Sequence, residues 1–466
     1  MDEAAEVRKD DELPDNDLAE KKGEGSPVLR VASGEKFRRD ADSAAASGNG
    51  KRSTRAGSDE TEWSQADSTE ASGNGKRSPR AGSDETESSQ ADSAAASGNG
   101  SLNLRAENAA QAAFGLAEPS AVPAVLIRDG VAFHGAAELE PAPAGGVYIR
   151  RIPASLRARL GARGRFIAAE STGCELRFVT SSQTVDVTLA LPAQDGAVAV
   201  YCGGMFHSEH RLEAGRIAVL RLTAPPRLRT ADAAELSASG FAPNVWRVRF
   251  ARGEAVYYGL NAFGEAVRPP EPGELPAASL LAYGSSITHG GEQSRSAYIE
   301  QAARRLGLDL HNLGMSGSCL CEPELIDWIA DRRDWSILFL ELGVNMRDGM
   351  DGREFRGRVR YALERLIDGP HPDKPIFLTT IYPNFATLGS ESPRAREQDL
   401  LFNEILREET RRMNHDGFLH LLEGYTILDD PGGLSCDLIH PSDDGHIRMG
   451  ENLARQMRII LESESG

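Results

Sequence analysis

The sequence predicts a chain of mixed architecture: an α/β domain built on a parallel sheet, preceded by an all-β, jelly-roll-like sandwich and a low-complexity tail. Three observations predict it. From Ser279 onward, short apolar runs alternate with helix-period segments. Between about 119 and 270, short runs alternate apolar and polar at period two, with turn residues between them. Before about 118, neither pattern occurs.

The tail, residues 1–118, is built from Ala, Ser, Gly, Asp, Glu, Lys and Arg with almost no aliphatic clusters. Such a composition cannot offset the entropy of ordering a backbone, so the segment is expected to be disordered. It repeats every 25 residues, from Ala41-Asp42-Ser43 to Ala66-Asp67-Ser68 to Ala91-Asp92-Ser93. That period suits a solenoid, but the units lack the apolar spine that stacking would bury. A duplicated linker or a docking tail is expected instead.

Residues 119–270 carry eight strand-like runs: Gly146–Ile149, Arg165–Ala168, Glu175–Val179, Val185–Leu189, Ala197–Tyr201, Ile217–Leu222, Trp246–Phe250 and Ala255–Tyr258. Closely spaced half-buried strands predict an antiparallel sandwich. Val267–Pro276 is rich in proline, which predicts a stiff, extended connector centred on 271–278.

Over 279–466 the expected strands are Ser279–Tyr283, Leu308–Leu313, Ile337–Leu342, Ile376–Tyr382 and Leu419–Leu422. The expected helices are Tyr298–Leu306, Glu354–Ile367, Arg394–Asn414 and Gly445–Leu461. This alternation predicts a parallel sheet covered on both faces, with its site beyond the C-terminal strand ends.

Composition narrows the function classes. A formal net charge of -18 argues against a nucleic-acid partner and against an anionic membrane surface. The five cysteines, Cys174, Cys202, Cys319, Cys321 and Cys436, form no Cys-x-x-Cys pair. Reduced thiols in a cytoplasmic protein are expected. The first residues lack the apolar stretch of a signal peptide, and no apolar run of about 18 residues occurs. The absence of a His-Glu-x-x-His motif or a Cys/His cluster implies no metal, and no cofactor is expected.

Chemistry-bearing residues fall at the expected strand ends. The first strand ends in Gly284-Ser285-Ser286-Ile287-Thr288, the second in Gly314-Met315-Ser316-Gly317, and the third in Gly343-Val344-Asn345. A late loop carries Asp437-Leu438-Ile439-His440. In this order the blocks resemble those of the SGNH (GDSL-type) hydrolases, whose domain is flavodoxin-like. The resemblance places the nucleophile at Ser286, the hole glycine at Gly317, the hole asparagine at Asn345, and the acid and base at Asp437 and His440. It departs at Ser285, where the family usually has Asp, and at Met346, where Asp commonly follows Asn.

The implied chemistry is coherent. A serine hydroxyl needs an adjacent base, and His440, oriented by Asp437, would take and return its proton. The backbone N–H groups of Ser286 and Gly317 and the Asn345 amide would receive the oxyanion. His289, His446, Glu341 and Arg347 lie near the motifs and are expected to be structural. An SGNH domain behind a β-sandwich is similar in architecture to bacterial carbohydrate acetyl esterases, which implies a small acylated substrate, an acetylated carbohydrate first. The alternatives are a lipid-directed esterase, thioesterase or lysophospholipase, and a non-catalytic glycan-binding protein.

Overall fold

The computed structural model describes residues 125–237, 240–290, 295–370, 373–389, 392–415 and 417–464. The expected tail and its repeats lie outside these residues. The first twelve strands are β1 (Leu126–Arg128), β2 (Val131–His134), β3 (Glu138–Pro141), β4 (Val147–Arg150), β5 (Glu175–Thr180), β6 (Thr184–Ala190), β7 (Gly196–Cys202), β8 (Met205–Leu212), β9 (Ile217–Thr223), β10 (Val245–Phe250), β11 (Val256–Asn261) and β12 (Val267–Arg268). They form two antiparallel sheets. One runs β1-β2-β5-β10-β7-β8, with β12 also on β5; the other runs β3-β4-β11-β6-β9. Their inner faces share one apolar cluster that includes Phe133, Phe178, Val187, Leu189, Val200, Val248 and Phe250.

Two sequence expectations change here. Arg165–Ala168 is not a strand; it lies in helix α2 (Ala162–Ala168), which follows helix α1 (Ala154–Arg157). The deciding pattern is wider than four residues. Ile152, Leu156, Leu160, Ile167 and Ala168 are buried at near-helical spacing, and they pack into the core of the parallel sheet. The connector also begins later than Val267, because Val267 and Arg268 pair with Thr180 and Val179. A short helix α3 (Ala233–Leu236) separates β9 from β10.

The remaining strands are β13 (Ser279–Tyr283), β14 (Asp309–Asn312), β15 (Ile337–Glu341), β16 (Ile376–Thr379) and β17 (Leu419–Leu422). All pairings are parallel, in the flavodoxin-like order β14-β13-β15-β16-β17. The helices are α4 (Ser286–His289), α5 (Tyr298–Leu306), α6 (Pro323–Asp331), α7 (Gly352–Ile367), α8 (Pro393–Met413), α9 (Gly424–Ile427) and α10 (Asp443–Glu464). β15 is buried along its whole length, as a strand covered on both faces must be. Its Ile337 and Phe339 meet Tyr298, Ala302, Met449 and Leu453 of α5 and α10. Leu338 and Leu340 meet residues of α6, α7 and α8 on the opposite face. Among the described residues, no helix is long and apolar enough to cross a membrane.

The outer face of the first antiparallel sheet abuts edge strand β14 through charge rather than hydrocarbon. Arg177 donates to both carboxylate oxygens of Asp309 at 2.7 Å and to Glu175 at 2.7 Å, and Arg247 donates twice to Glu175. The cations outweigh the desolvation of Asp309 and hold its carboxyl far below the usual range. His134 Nε2 lies 2.7 Å from the Leu310 carbonyl. These contacts fix β14, whose C-terminal end leads into the glycine loop at 314–317.

Candidate active site

Strand β13 delivers its chain directly into α4, so Ser286 sits on a tight strand-to-helix turn. Ser285 caps that helix, its hydroxyl accepting the Ile287 N–H at 3.2 Å. Beneath the turn, the Glu341 carboxylate accepts the Ser285 N–H at 2.6 Å and the Thr288 hydroxyl at 3.0 Å. Burial pushes this carboxyl up to about 7 against the hydrogen bonds it accepts. This explains the first departure from the family pattern. An Asp at 285 would set a second carboxylate beside a buried one, whereas serine keeps the cap without the charge.

Ser286 Oγ lies 2.7 Å from His440 Nε2, and His440 Nδ1 lies 2.6 Å from Asp437 Oδ2. The other Asp437 oxygen accepts the N–H groups of Ile439 and His440 and the Ser435 hydroxyl, each at 2.9 Å. Burial raises the Asp437 carboxyl, but these donors and the His440 ring outweigh it and hold the group well below the usual carboxylate range. The turn that brings acid and base together forces Leu438 to a φ of 54°. For a residue with a side chain this costs about 1–2 kcal/mol. The turn is pinned from both sides: Ser435 N–H donates to the His440 carbonyl at 2.8 Å and Phe385 N–H to the Leu438 carbonyl at 2.7 Å. The pair is open to solvent, with side-chain exposures of 43% for His440 and 48% for Asp437.

Gly317 occupies the third position of a turn closed by Ser318 N–H on the Met315 carbonyl, at a φ of 65°. A type II turn requires positive φ there, hence glycine. Gly314 is needed for a different reason: a Cβ would lie 2.3 Å from the His289 nitrogen, so only glycine lets this loop close on α4. Asn345 follows β15 and accepts the Cys319 N–H on its Oδ1 at 3.2 Å. Because a backbone N–H can only donate, this bond fixes which end of the amide is oxygen and leaves Nδ2 uncommitted. Among the described residues, the Ser286 N–H, the Gly317 N–H and Asn345 Nδ2 have no acceptor. Met346 is fully buried in the apolar core, which accounts for the second departure.

The neighbouring groups have structural partners. His446 accepts the Tyr298 N–H at 3.2 Å, and burial lowers it to about 4. Arg347 binds Asp399 and Asn384. His289 is buried 3.4 Å from Glu170 and from Arg151, and burial, reinforced by nearby guanidinium groups, keeps it neutral. Arg151 itself donates to the carbonyls of Ile167, Glu170, Asn312 and Gly314. It thereby ties the antiparallel region to the glycine loop. Sequence reasoning missed Arg151, Glu170 and Arg163, which approach the site from segments well over a hundred residues away. Their only signal was the helical spacing of residues 152–168.

Residues 278–458 match the model of the GDSL-like Lipase/Acylhydrolase family. No curated protein matches the chain significantly. Among solved structures, the chain is similar to the salicylyl-acyltransferase SsfX3 from a tetracycline biosynthetic pathway, at 19% identity over 72% of this chain and 96% of that one, with a TM-score of 0.56. It is also similar to a putative GDSL-like lipase from Bacteroides ovatus ATCC 8483, at 19% identity over 71% and 98%, with a TM-score of 0.52. These likenesses extend across the antiparallel sheets as well as the parallel one. Residues 278–458 thus carry a GDSL-like lipase/acylhydrolase domain, which supports an ester hydrolase, and the likeness to the two solved structures is one of fold.

Proposed function

We propose that the chain hydrolyses short-chain O-acyl esters through an acyl-enzyme on Ser286. The observation that carries this reading is the continuous Ser286–His440–Asp437 relay, with contacts of 2.7 and 2.6 Å. His440 takes the Ser286 proton as Oγ attacks the ester carbonyl and returns it to the leaving alcohol; water then repeats the sequence to free the acid. Asp437 holds the imidazole and stabilises its cation. The uncommitted N–H groups of Ser286, Gly317 and Asn345 receive the oxyanion. In this reading residues 119–270 are an accessory sandwich and 279–466 the catalytic unit, joined through 271–278.

An acetylated carbohydrate is the substrate to test first. The half-exposed His440 and Asp437 side chains suit a bulky, hydrated acceptor better than an enclosed acyl tail. Hydrolysis of 4-nitrophenyl acetate, butyrate and octanoate and of an acetylated xylo-oligosaccharide should be compared in wild type and Ser286→Ala. Activity that is strongest on acetyl substrates and lost in the variant supports the reading. A preference for octanoate redirects it to a lipid or thioester substrate, and a folded but inactive wild type favours a binding protein.

A further inference from the structure

Arg163, on α2, reaches across to the glycine loop. Its Nε donates to the Ser316 carbonyl at 3.3 Å, and the space where a Gly317 side chain would begin lies 3.5 Å from Nε and 3.7 Å from a terminal nitrogen. Its guanidinium therefore stands at the lip of the proposed oxyanion hole. Arg163 is exposed and no carboxylate among the described residues pairs with it, so one of its five N–H donors is engaged. Phe166, half exposed, lies beside it with the guanidinium 5.9 Å from its ring centroid. The surrounding charge has the same sign. Arg151, Arg163 and Arg252 all act on the buried, neutral His289, and Glu170 is the carboxylate set among them. Glu322 also approaches α2, at Gly164, but burial raises its carboxyl and weakens it as a counter-charge.

We propose that Arg163 is a specificity-determining residue that selects acyl esters of acidic acceptors, such as a sugar acid whose carboxylate docks on the guanidinium while its ring lies along Phe166. The inference rests on the Ser286 esterase reading and deepens it. The free end of the guanidinium, with one N–H from each terminal nitrogen, matches a carboxylate fork, and it stands beside Gly317. A neutral sugar would leave that donor set facing water.

The test uses the full chain and matched pairs: a mono-O-acetylated methyl glucuronoside against its uronate methyl ester, and 3-acetoxybenzoate against methyl 3-acetoxybenzoate. Wild type should prefer the anionic member of at least the sugar pair by about tenfold in kcat/KM, the range of a charge-assisted bond at a partly exposed site. That ratio should fall to near unity in Arg163→Met, persist in part in Arg163→Lys, and shrink in about 0.5 M NaCl. Ser286-dependent hydrolysis of the neutral esters without discrimination overturns this inference alone, as does a preference that survives Arg163→Met. Failure to hydrolyse any of the four esters in a Ser286-dependent way overturns the esterase reading and this inference with it.

Discussion

Glu341 makes the stability of the nucleophile turn depend on pH, and Glu341→Gln should remove that dependence. The carboxyl is buried, accepts hydrogen bonds from Ser285 and Thr288, and has no cation paired with it among the described residues. Folding raises it from 4.5 to about 7. Below pH 4.5 it is protonated in both folded and unfolded chains. Between 4.5 and about 7 the unfolded chain ionises first, so the folded state loses stability as pH rises, and above about 7 the loss is complete. At 1.36 kcal/mol per pH unit, the full loss is about 3 kcal/mol. Glutamine keeps an acceptor for the Ser285 N–H and cannot ionise. Urea midpoints of both proteins should be measured from pH 5 to 8. Buried neutral histidines such as His289 and His446 titrate against the unfolded chain in the same window with the opposite sign. They are common to both proteins, so the difference between the two curves isolates Glu341. That difference should move by most of the predicted 3 kcal/mol in favour of Glu341→Gln as pH rises. Parallel curves would refute the reasoning.

Two further predictions concern the hole and the interface. Asn345→Ala should lower kcat on 4-nitrophenyl acetate about 10²- to 10³-fold with little change in KM, since the amide acts where charge develops; a loss confined to KM would assign it to ground-state binding. Asp309→Ala should cost about 3–5 kcal/mol in urea unfolding, because it leaves Arg177 buried with only Glu175; a loss below about 1 kcal/mol would mean that the bidentate pair is replaced by water.

The parallel sheet was legible because its signal is local. Ile337–Leu340 is an unbroken apolar run, and Tyr298–Leu306 carries its buried residues on one helical stripe. The residues placed at Ser286, Asp437 and His440 by resemblance do meet in space, because short turns and strand ends fix them. What sequence could not supply was partnership across the chain. β8 was missed because Met205–Leu212 is polar along most of its length, as an edge strand paired, among the described residues, only to β7 can be. The segment 165–168 was misread because Ile152, Leu156 and Leu160, which set its helical period, lie outside a four-residue window. Arg163 was missed with it. Glu341 looked like a strand-end residue, and nothing in its neighbours revealed that it would lie buried under Ser285.

The Arg151 guanidinium bears on how this chain can be divided. It is fully buried, and its ligands come from both sides of the connector: Ile167 and Glu170 before it, Asn312 and Gly314 after it. Separating the two parts at the connector would strip the Asn312 and Gly314 carbonyls of this donor and expose the apolar patch that Leu156, Leu160 and Ile167 cover. The segment that matches the family is thus a module by ancestry but not by mechanics. Evolutionary exchange of the sandwich for an unrelated domain would have to bring its own cation to the same pair of carbonyls.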